Sequence, residues 1–177
     1  MEIAINAFIS ILIFLKYKLI YGHRYSSRAI QSWGPGFSVH ISGKGSLLSI
    51  GDKCVSRRNM SVRVENGSLS IGDKCFFNSQ VDITCTDHIT IGNGCQFGQN
   101  VVIVDHDHNI RHEGENPLIS SPITIGNNVW VGADCVILRG VNIGDNSVIA
   151  AGSVIHDDIP ADSVIYQKRE NCKVSRL

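Results

Sequence analysis

A spacing of six residues organises most of the chain. Between Ile125 and Ile155 an aliphatic side chain occupies every sixth position, and the phrase "IG" followed by Asp or Asn recurs from Ile50 to Ile143. A period of six fits neither an α-helix, which repeats every 3.6 residues, nor a long strand, which alternates every two. It favours short strands joined by tight corners, with three such units closing one triangular coil.

Two positions of each six-residue unit define a predicted interior. The aliphatic first residue points inward, and a small residue four places later fills the same space. Asp, Asn and Gly stand at the predicted corners, where turns and left-handed backbone favour them. The product is a solenoid whose backbone hydrogen bonds run from coil to coil. The small interior positions are Cys54, Cys75, Cys95, Val101, Val129, Cys135, Val141, Ser147 and Ser153.

The cysteines therefore have a structural interpretation. Four of the six occupy small interior positions, where a free thiol behaves as a small hydrophobe. Their spacing offers neither a disulfide framework nor the paired ligands of a zinc site, so we predict reduced thiols in a cytoplasm.

Residues 1–21 are the most apolar stretch of the chain. The apolar run from Ile3 to Leu15 is shorter than the roughly 20 residues that span a bilayer, and Lys16 and Lys18 follow it. The second residue is acidic, whereas a cleaved signal peptide begins with positive charge. We predict a short helix packed on its own protein or on a neighbouring subunit, with peripheral contact at the inner face of a membrane as the alternative.

Length and charge narrow the classes of function. A chain of 177 residues is long enough for one domain with a substantial core. Sixteen basic and sixteen acidic residues cancel, and no block of like charge appears, so nucleic acid is not an expected partner. We predict an N-terminal segment over residues 1–25, a solenoid over 26–160 and a tail over 161–177.

One loop interrupts the repeat in its second half. Between Ile103 and Ile123 the chain carries about a dozen residues more than one coil needs, and long excursions from a compact scaffold are usually functional. This loop, residues 105–122, reads "DHDHNIRHEGENPLISSP" and concentrates histidines with acidic side chains. We predict that it carries the chemistry of the molecule.

The repeat from about Ile50 to Lys173 resembles the hexapeptide-repeat acyltransferases. That resemblance implies an all-β fold, a left-handed parallel β-helix with one protruding loop, to which residues 1–21 add the predicted short N-terminal helix. After the loop, "PITIGNNVWVGADCVILRGVNIGDNSVIAAGSVIHDDIP" is similar to the galactoside and maltose O-acetyltransferases and to relatives that acetylate capsule, O-antigen and exopolysaccharide sugars. This similarity implies a homotrimer that transfers acetyl groups from acetyl-CoA, without a metal, to a hydroxyl of a bacterial surface-polysaccharide sugar. A lipid-linked or polymeric saccharide is the expected acceptor.

The same resemblance assigns a catalytic histidine. A gapless count from Ile89 brings the family's histidine to His108 rather than His106. A neutral imidazole can take the proton of a sugar hydroxyl as that hydroxyl attacks an acetyl thioester. The carboxylate that would orient His108 stays open among four residues: Asp105, Asp107, Glu113 and Glu115.

Residues for the acceptor follow from the family's motif. Asn78 falls where the galactoside enzyme has an acceptor-binding asparagine, although turn geometry alone also explains an asparagine at a corner. Asp87 is a weaker match, because the family's acidic residue falls one place earlier, at Thr86. In the loop, His106 and Asp107 are assigned to the acceptor side.

Residues for the donor lie after the loop. The family lays the pantetheine arm of acetyl-CoA along these coils, which implies contacts at Trp130, Ala133 and Ala151, with the amide of Ala133 facing the developing oxyanion. His156 and Asp157 stand where relatives commonly have a Thr-Lys pair, so the hold on the nucleotide departs from the family. Basic side chains of the tail would hold the phosphates: Lys168, Arg169 and Lys173.

Other interpretations stay open. The acceptor could be an amino group, which would make the protein an amino-sugar N-acetyltransferase. A β-helix can also host a zinc enzyme, but His106, His108 and His112 lie in one loop, whereas zinc ligands of that related family are spread over successive coils. A non-catalytic scaffold is the remaining alternative.

Overall fold

The computed structural model describes residues 2–28, 31–110 and 117–166, and for residues 2–7 it describes the backbone alone. A helix, α1 (Glu2–Tyr21), comes first and leads through a 3₁₀ turn, Gly22–Arg24, into a solenoid of about six turns. The strands follow in chain order: β1 (Tyr25–Ser27), β2 (Ser38–Ser42), β3 (Leu47–Ile50), β4 (Val55–Ser56), β5 (Ser61–Glu65), β6 (Ser68–Ile71), β7 (Phe76–Phe77), β8 (Asp82–Cys85), β9 (His88–Ile91), β10 (Gln96–Phe97), β11 (Val102–Val104), β12 (His106–His108), β13 (Leu118–Ser120), β14 (Ile123–Ile125), β15 (Trp130–Val131), β16 (Val136–Ile137), β17 (Asn142–Ile143), β18 (Val148–Ile149), β19 (Val154–Ile155) and β20 (Val164–Ile165).

Three parallel sheets form the walls of the solenoid within the described ranges. Sheet one runs β1-β3-β6-β9-β14-β17, sheet two runs β4-β7-β10-β15-β18-β20, and sheet three runs β2-β5-β8-β11-β16-β19. Each complete coil gives one strand to each sheet, and the architecture matches a left-handed parallel β-helix, which confirms the predicted fold.

The repeat stacks equivalent residues in register. Ile50 pairs with Ile71, Ile71 with Ile91, Ile91 with Ile125, and Ile125 with Ile143. All five are buried, and so are the predicted small interior residues from Cys54 to Ser153. The predicted interior positions are therefore confirmed.

Buried thiols fill part of this interior. Burial raises the pKa of Cys135, and burial together with the nearby Asp105 carboxylate raises the pKa of Cys85. Both thiols therefore stay protonated at neutral pH and serve as packing groups. The five cysteines of the described residues are all free.

The recurring "IG" phrase has two physical causes. A Cβ at Gly72 would lie 2.7 Å from the carbonyl carbon of Gly92, and one at Gly92 would lie 2.6 Å from that of Gly126, so the coils approach too closely for any side chain. The next residue accepts a hydrogen bond from the preceding coil: Asp73 Oδ1 accepts from the amide of Asp52 at 2.7 Å. This contact repeats along the corner through Asn93, Asn127 and Asp145.

The corners adopt left-handed backbone as predicted, but their residue types vary more than expected. Asn and Asp hold a positive φ at Asn59, Asn100, Asn128 and Asp134, among others. The same conformation is found at Lys53, Lys74 and Gln80. Coil-to-coil hydrogen bonds, such as that from the Lys74 amide to the Asp52 carbonyl, stabilise a conformation that these side chains disfavour in isolation.

Helix α1 caps the open end of the solenoid. The Tyr17 hydroxyl accepts from the amide of Val39 at 3.0 Å, and the Tyr21 hydroxyl donates to the Val39 carbonyl at 3.1 Å. The amide of Trp33 donates to Ser10 Oγ at 3.3 Å. The helix thus satisfies backbone groups of the first coil that have no coil before them, which protects an exposed sheet edge.

Within the described ranges, no helix has both the length and the apolar character needed to cross a membrane.

A charge introduced into the interior should unfold the solenoid. Ile125 is buried and its neighbour Thr124, on the same strand, is exposed. We expect Ile125→Asp to lower the free energy of unfolding by more than about 3 kcal/mol, because no partner offsets the buried carboxylate. Thr124→Asp is the matched control and should change it by less than about 1 kcal/mol. Urea denaturation of both variants makes the measurement, and equal stabilities would contradict the described burial.

Candidate active site

The loop that interrupts the repeat folds into a β-hairpin. Strands β12 and β13 pair antiparallel, with His106 opposite Ser120 and His108 opposite Leu118. The hairpin leaves the solenoid between β11 of sheet three and β14 of sheet one. We call this edge, which includes Thr86, Asp105 and the hairpin, the histidine corner.

A buried carboxylate fixes the base of the hairpin. Asp105 is fully buried, and its two oxygens accept hydrogen bonds from the Thr86 amide at 2.8 and 3.0 Å. They also accept from the Thr86 hydroxyl at 3.1 Å and from the Asp87 amide at 2.8 Å. The Asp105 carbonyl accepts from the Ser121 amide at 2.9 Å, across the two ends of the hairpin. Because the donors to the carboxylate belong to the adjacent coil, its buried oxygens are satisfied and the base of the hairpin is held to that coil.

The two histidines have different environments. His106 is partly buried, and its Nδ1 lies 3.2 Å from Asp105 Oδ1, whereas His108 is exposed on the outer part of the hairpin. Asp107 lies between them and pairs with Arg139, with Arg139 Nε 2.6 Å from Asp107 Oδ2. Of the carboxylates considered for orienting His108, Asp105 contacts His106 instead and Asp107 binds an arginine. Glu113, Glu115 and also His112 lie outside the described residues.

A small polar cleft of about 240 Å³ opens beside the hairpin. Its lining comes from successive coils and from β13: Glu65, Asn66, Thr86, Leu118 and Ser120. The sequence-based assignment missed these residues. Strand register could have suggested two of them, since Val64 pairs with Cys85 and so brings Glu65 beside Thr86.

Asp87 lies at the histidine corner but Asn78 does not. Asn78 follows β7, between sheets two and three, and its side-chain oxygen accepts from the Ser79 amide at 2.9 Å. Its Nδ2 also approaches Gln99 Oε1 at 3.5 Å. The turn role that the sequence left open is therefore present in the structure.

The predicted donor residues share the corner of Asn78. Ala133 follows β15 and Ala151 follows β18, and both are again between sheets two and three. The Gly152 amide donates to the Ala133 carbonyl at 2.8 Å, which stacks these two coils. The side chain of Trp130 is exposed on sheet two beside them. We call this edge the alanine corner, and within one chain it is a different edge of the triangle from the histidine corner.

The nucleotide end of the predicted donor site is described only in part. His156 and Asp157 are exposed and pair with each other, with His156 Nδ1 3.1 Å from Asp157 Oδ2. The three basic tail residues proposed for the phosphates lie outside the described residues: Lys168, Arg169 and Lys173.

Within residues 2–28, 31–110 and 117–166, no group of three or more His, Cys, Asp or Glu side chains could hold a metal ion.

A family model and individual relatives both match the repeat of this chain. Residues 122–156 match the family model of the hexapeptide repeat of succinyl-transferase. The galactoside O-acetyltransferase of Escherichia coli K12 is 44% identical over 92 residues, which cover 50% of this chain and 45% of that relative. The galactoside O-acetyltransferase of Lactococcus lactis is 31% identical over 127 residues, covering 70% of this chain and 60% of the relative. The chain thus matches about half of the length of these relatives.

A solved structure of a galactoside acetyltransferase in complex with coenzyme A is similar over 90% of this chain and 76% of its own, at 28% identity and a TM-score of 0.50. The repeat, the β-helix and these similarities together show that the chain is a hexapeptide-repeat protein similar to the galactoside O-acetyltransferases.

Proposed function

We propose that the protein is an acetyl-CoA-dependent O-acetyltransferase that acts on a hydroxyl of a bacterial surface-polysaccharide sugar. The observation that carries this proposal is the rigidly anchored hairpin, which displays His106 and His108 beside a polar cleft on an acetyltransferase scaffold. Relatives named galactoside O-acetyltransferases support a saccharide acceptor. Exposed polar groups of the cleft, such as Asn66 and Ser120, suit the hydroxyls of a sugar.

In the proposed mechanism His108 is the general base. Its neutral imidazole removes the proton of the sugar hydroxyl while the hydroxyl oxygen forms a bond to the thioester carbonyl carbon. A tetrahedral intermediate forms, and its oxyanion receives a hydrogen bond from the amide of Ala133. Collapse breaks the carbon–sulfur bond, and the leaving thiolate takes the proton from the imidazolium. The products are the acetyl ester and free CoA.

His106 is the second candidate for the base. Its ring contacts Asp105, a carboxylate that four further contacts hold in place. Such a partner fixes the tautomer of an imidazole and stabilises its protonated form. The position of the family's catalytic histidine favours His108, whereas the contact with Asp105 favours His106. The two residues therefore require separate tests.

The proposed donor site extends along the alanine corner. Along this edge Trp130 and Ala151 are exposed and Ala133 is half-buried, and a pantetheine arm can lie there against backbone. Lys168, Arg169 and Lys173 are proposed to meet the phosphates, because no basic pair stands at His156 and Asp157.

Two separate corners favour a homotrimer. An acetyl group held at the alanine corner of one chain lies away from the histidine corner of the same chain, since a sheet separates the two edges. A neighbouring chain can bring its histidine corner to that donor, and a three-fold arrangement repeats this contact three times.

Reduced interior thiols and the use of acetyl-CoA are consistent with a cytoplasmic enzyme.

A panel of acceptors tests the function. The purified protein is incubated with acetyl-CoA and oligosaccharides from capsule, O-antigen and exopolysaccharide, and thiol release and product mass are followed. We expect a product heavier by one acetyl group that mild alkali removes, as an ester requires. A product stable to alkali would indicate N-acetylation of an amino sugar. No thiol release with any acceptor would favour a scaffold.

Alanine variants of the two histidines separate the candidate bases. We expect His108→Ala to lower kcat by on the order of 10²- to 10⁴-fold, because general-base catalysis contributes about that much, while the affinity for acetyl-CoA stays unchanged. His106→Ala should cost less than about ten-fold, through the geometry of the hairpin. Steady-state kinetics with one acceptor makes the comparison. The reverse order of effects would transfer the role to His106.

The anchor of the hairpin gives a prediction about stability. Asp105→Asn replaces one acceptor oxygen with an NH₂ group that faces the amides of Thr86 and Asp87, so we expect a loss of about 1–3 kcal/mol in the free energy of unfolding. Asp107→Asn is the matched control two residues away, on an exposed pair with Arg139, and should change it by less than about 0.5–1 kcal/mol. Chemical denaturation measures both. Equal effects would show that Asp105 is not the anchor.

Mixing two inactive variants tests the assignment of the site to two chains. Ala133→Trp should block the donor edge and His108→Ala should remove the base, so each alone should be inactive. If the groups come from different chains, co-expression should restore activity at roughly a quarter of the interfaces under random mixing. If they act within one chain, the mixture stays inactive. Thermal unfolding of each variant checks that the loss is not one of folding.

A further inference from the structure

Helix α1 is apolar on its outer side as well as on the side that packs on the solenoid. Ser10 and Tyr17 are buried against the first coil. At about 100° per residue, the opposite side of the helix is a stripe at positions i, i+4, i+7 and i+11. These residues are all exposed: Phe8 62%, Leu12 49%, Leu15 54% and Leu19 88%.

Such a stripe is unusual on a surface helix. The outer face of a helix that covers a core normally carries polar side chains, and a helix that is apolar on both sides has a partner on both. Contiguous exposed apolar surface marks a site of interaction. The stripe therefore indicates that a second apolar surface covers this end of the protein.

The charges of the molecule separate along the solenoid axis. Residues 1–64, which form α1 and the first two coils, carry nine Lys or Arg and two Asp or Glu. Residues 65–177 carry seven Lys or Arg and fourteen Asp or Glu. Among the described residues beyond 64, which are 65–110 and 117–166, there are two Lys or Arg and eleven Asp or Glu, so this part of the solenoid is acidic whereas the N-terminal end is basic.

Several of these cations border the apolar stripe. On the helix, Lys16 and Lys18 lie on either side of Leu15 and Leu19 in projection, and both are exposed. Beside the helix, Arg57 and Arg58 line a groove of about 610 Å³ together with Ile9, and both arginines are exposed. Apolar side chains with cations along their margins match the boundary between acyl chains and anionic headgroups.

We propose that the outer stripe of α1 and the basic residues around it dock the protein on an anionic lipid bilayer. Phe8, Leu12, Leu15 and Leu19 enter the acyl boundary while Lys16 extends to the headgroups. Lys18 adds positive charge at the margin of the stripe, where its Nζ donates to the Tyr25 carbonyl at 3.2 Å. Arg57 and Arg58 add attraction to lipid phosphates. A second copy seated stripe to stripe fits less well as the occupant, because the basic residues beside the two stripes would meet. The proposal is independent of the proposed acetyl transfer.

Vesicle flotation tests the docking surface. The wild-type protein should float with vesicles of phosphatidylcholine and phosphatidylglycerol, and much less with phosphatidylcholine alone. Leu15→Gln/Leu19→Gln should lower partitioning on the order of ten-fold or more, because two exposed apolar side chains no longer enter the acyl boundary. Both positions face solvent in the free protein, so the thermal stability should not fall. Val164→Gln is the control: an apolar residue, 66% exposed, on the last described strand of the acidic end, whose replacement should leave flotation unchanged.

A charge variant and sedimentation complete the test. Arg57→Gln/Arg58→Gln should weaken binding by about five-fold per arginine, and salt should weaken the wild type in the same direction. Failure of the wild type to float with anionic vesicles overturns the proposal. If the leucine variant instead changes the oligomeric state in analytical ultracentrifugation, with flotation unaffected, the stripe is a subunit contact.

Discussion

The close approach of successive coils is the constraint on which the rest of this molecule depends. Stacked at the spacing of a parallel sheet, the coils have no room for a Cβ where Gly72 meets Gly92 and Gly92 meets Gly126. The same spacing lets each Asp or Asn of the corner accept an amide from the coil before it. A side chain at one coil therefore has a fixed height and edge relative to side chains many residues away. The scaffold positions its functional groups through backbone register rather than through long-range side-chain contacts.

A solenoid of this kind has two structural difficulties, and local devices solve both. The first coil has unpaired backbone groups, and the hydroxyls of Tyr17 and Tyr21 on α1 satisfy those of Val39. The hairpin must leave the repeat without loosening it, and the buried carboxylate of Asp105 holds its base to Thr86 and Asp87 of the coil before. In both cases side chains replace hydrogen bonds that a neighbouring coil would have supplied.

Features that depend on burial at a fixed spacing could be predicted from the sequence, whereas features that depend on contacts between coils could not. Interior residues such as Ile125 and Cys95 could be predicted, because burial at a fixed period leaves a pattern in the chain. Lys74 and Gln80 could not be recognised as left-handed corners, since their conformation is stabilised by hydrogen bonds to other coils. The site was harder still. The contact of Asp105 with His106 depends on which way adjacent residues face, and a gapless count carries no such information.

The sequence motifs also do not show which edge of the solenoid carries a given residue. That information decides which residues can share a site within one chain. Asn78 and His108 were assigned to one site by similarity, yet the sheets place them on different edges of the triangle. Net charge shows the same limit. A balance of sixteen against sixteen suggests no electrostatic partner, but the fold orders the chain along an axis and so converts sequence position into spatial position. In a solenoid, an excess of one sign in the first third of the sequence necessarily becomes a charged end of the molecule. For such folds, charge has to be counted along the chain before it can exclude a partner.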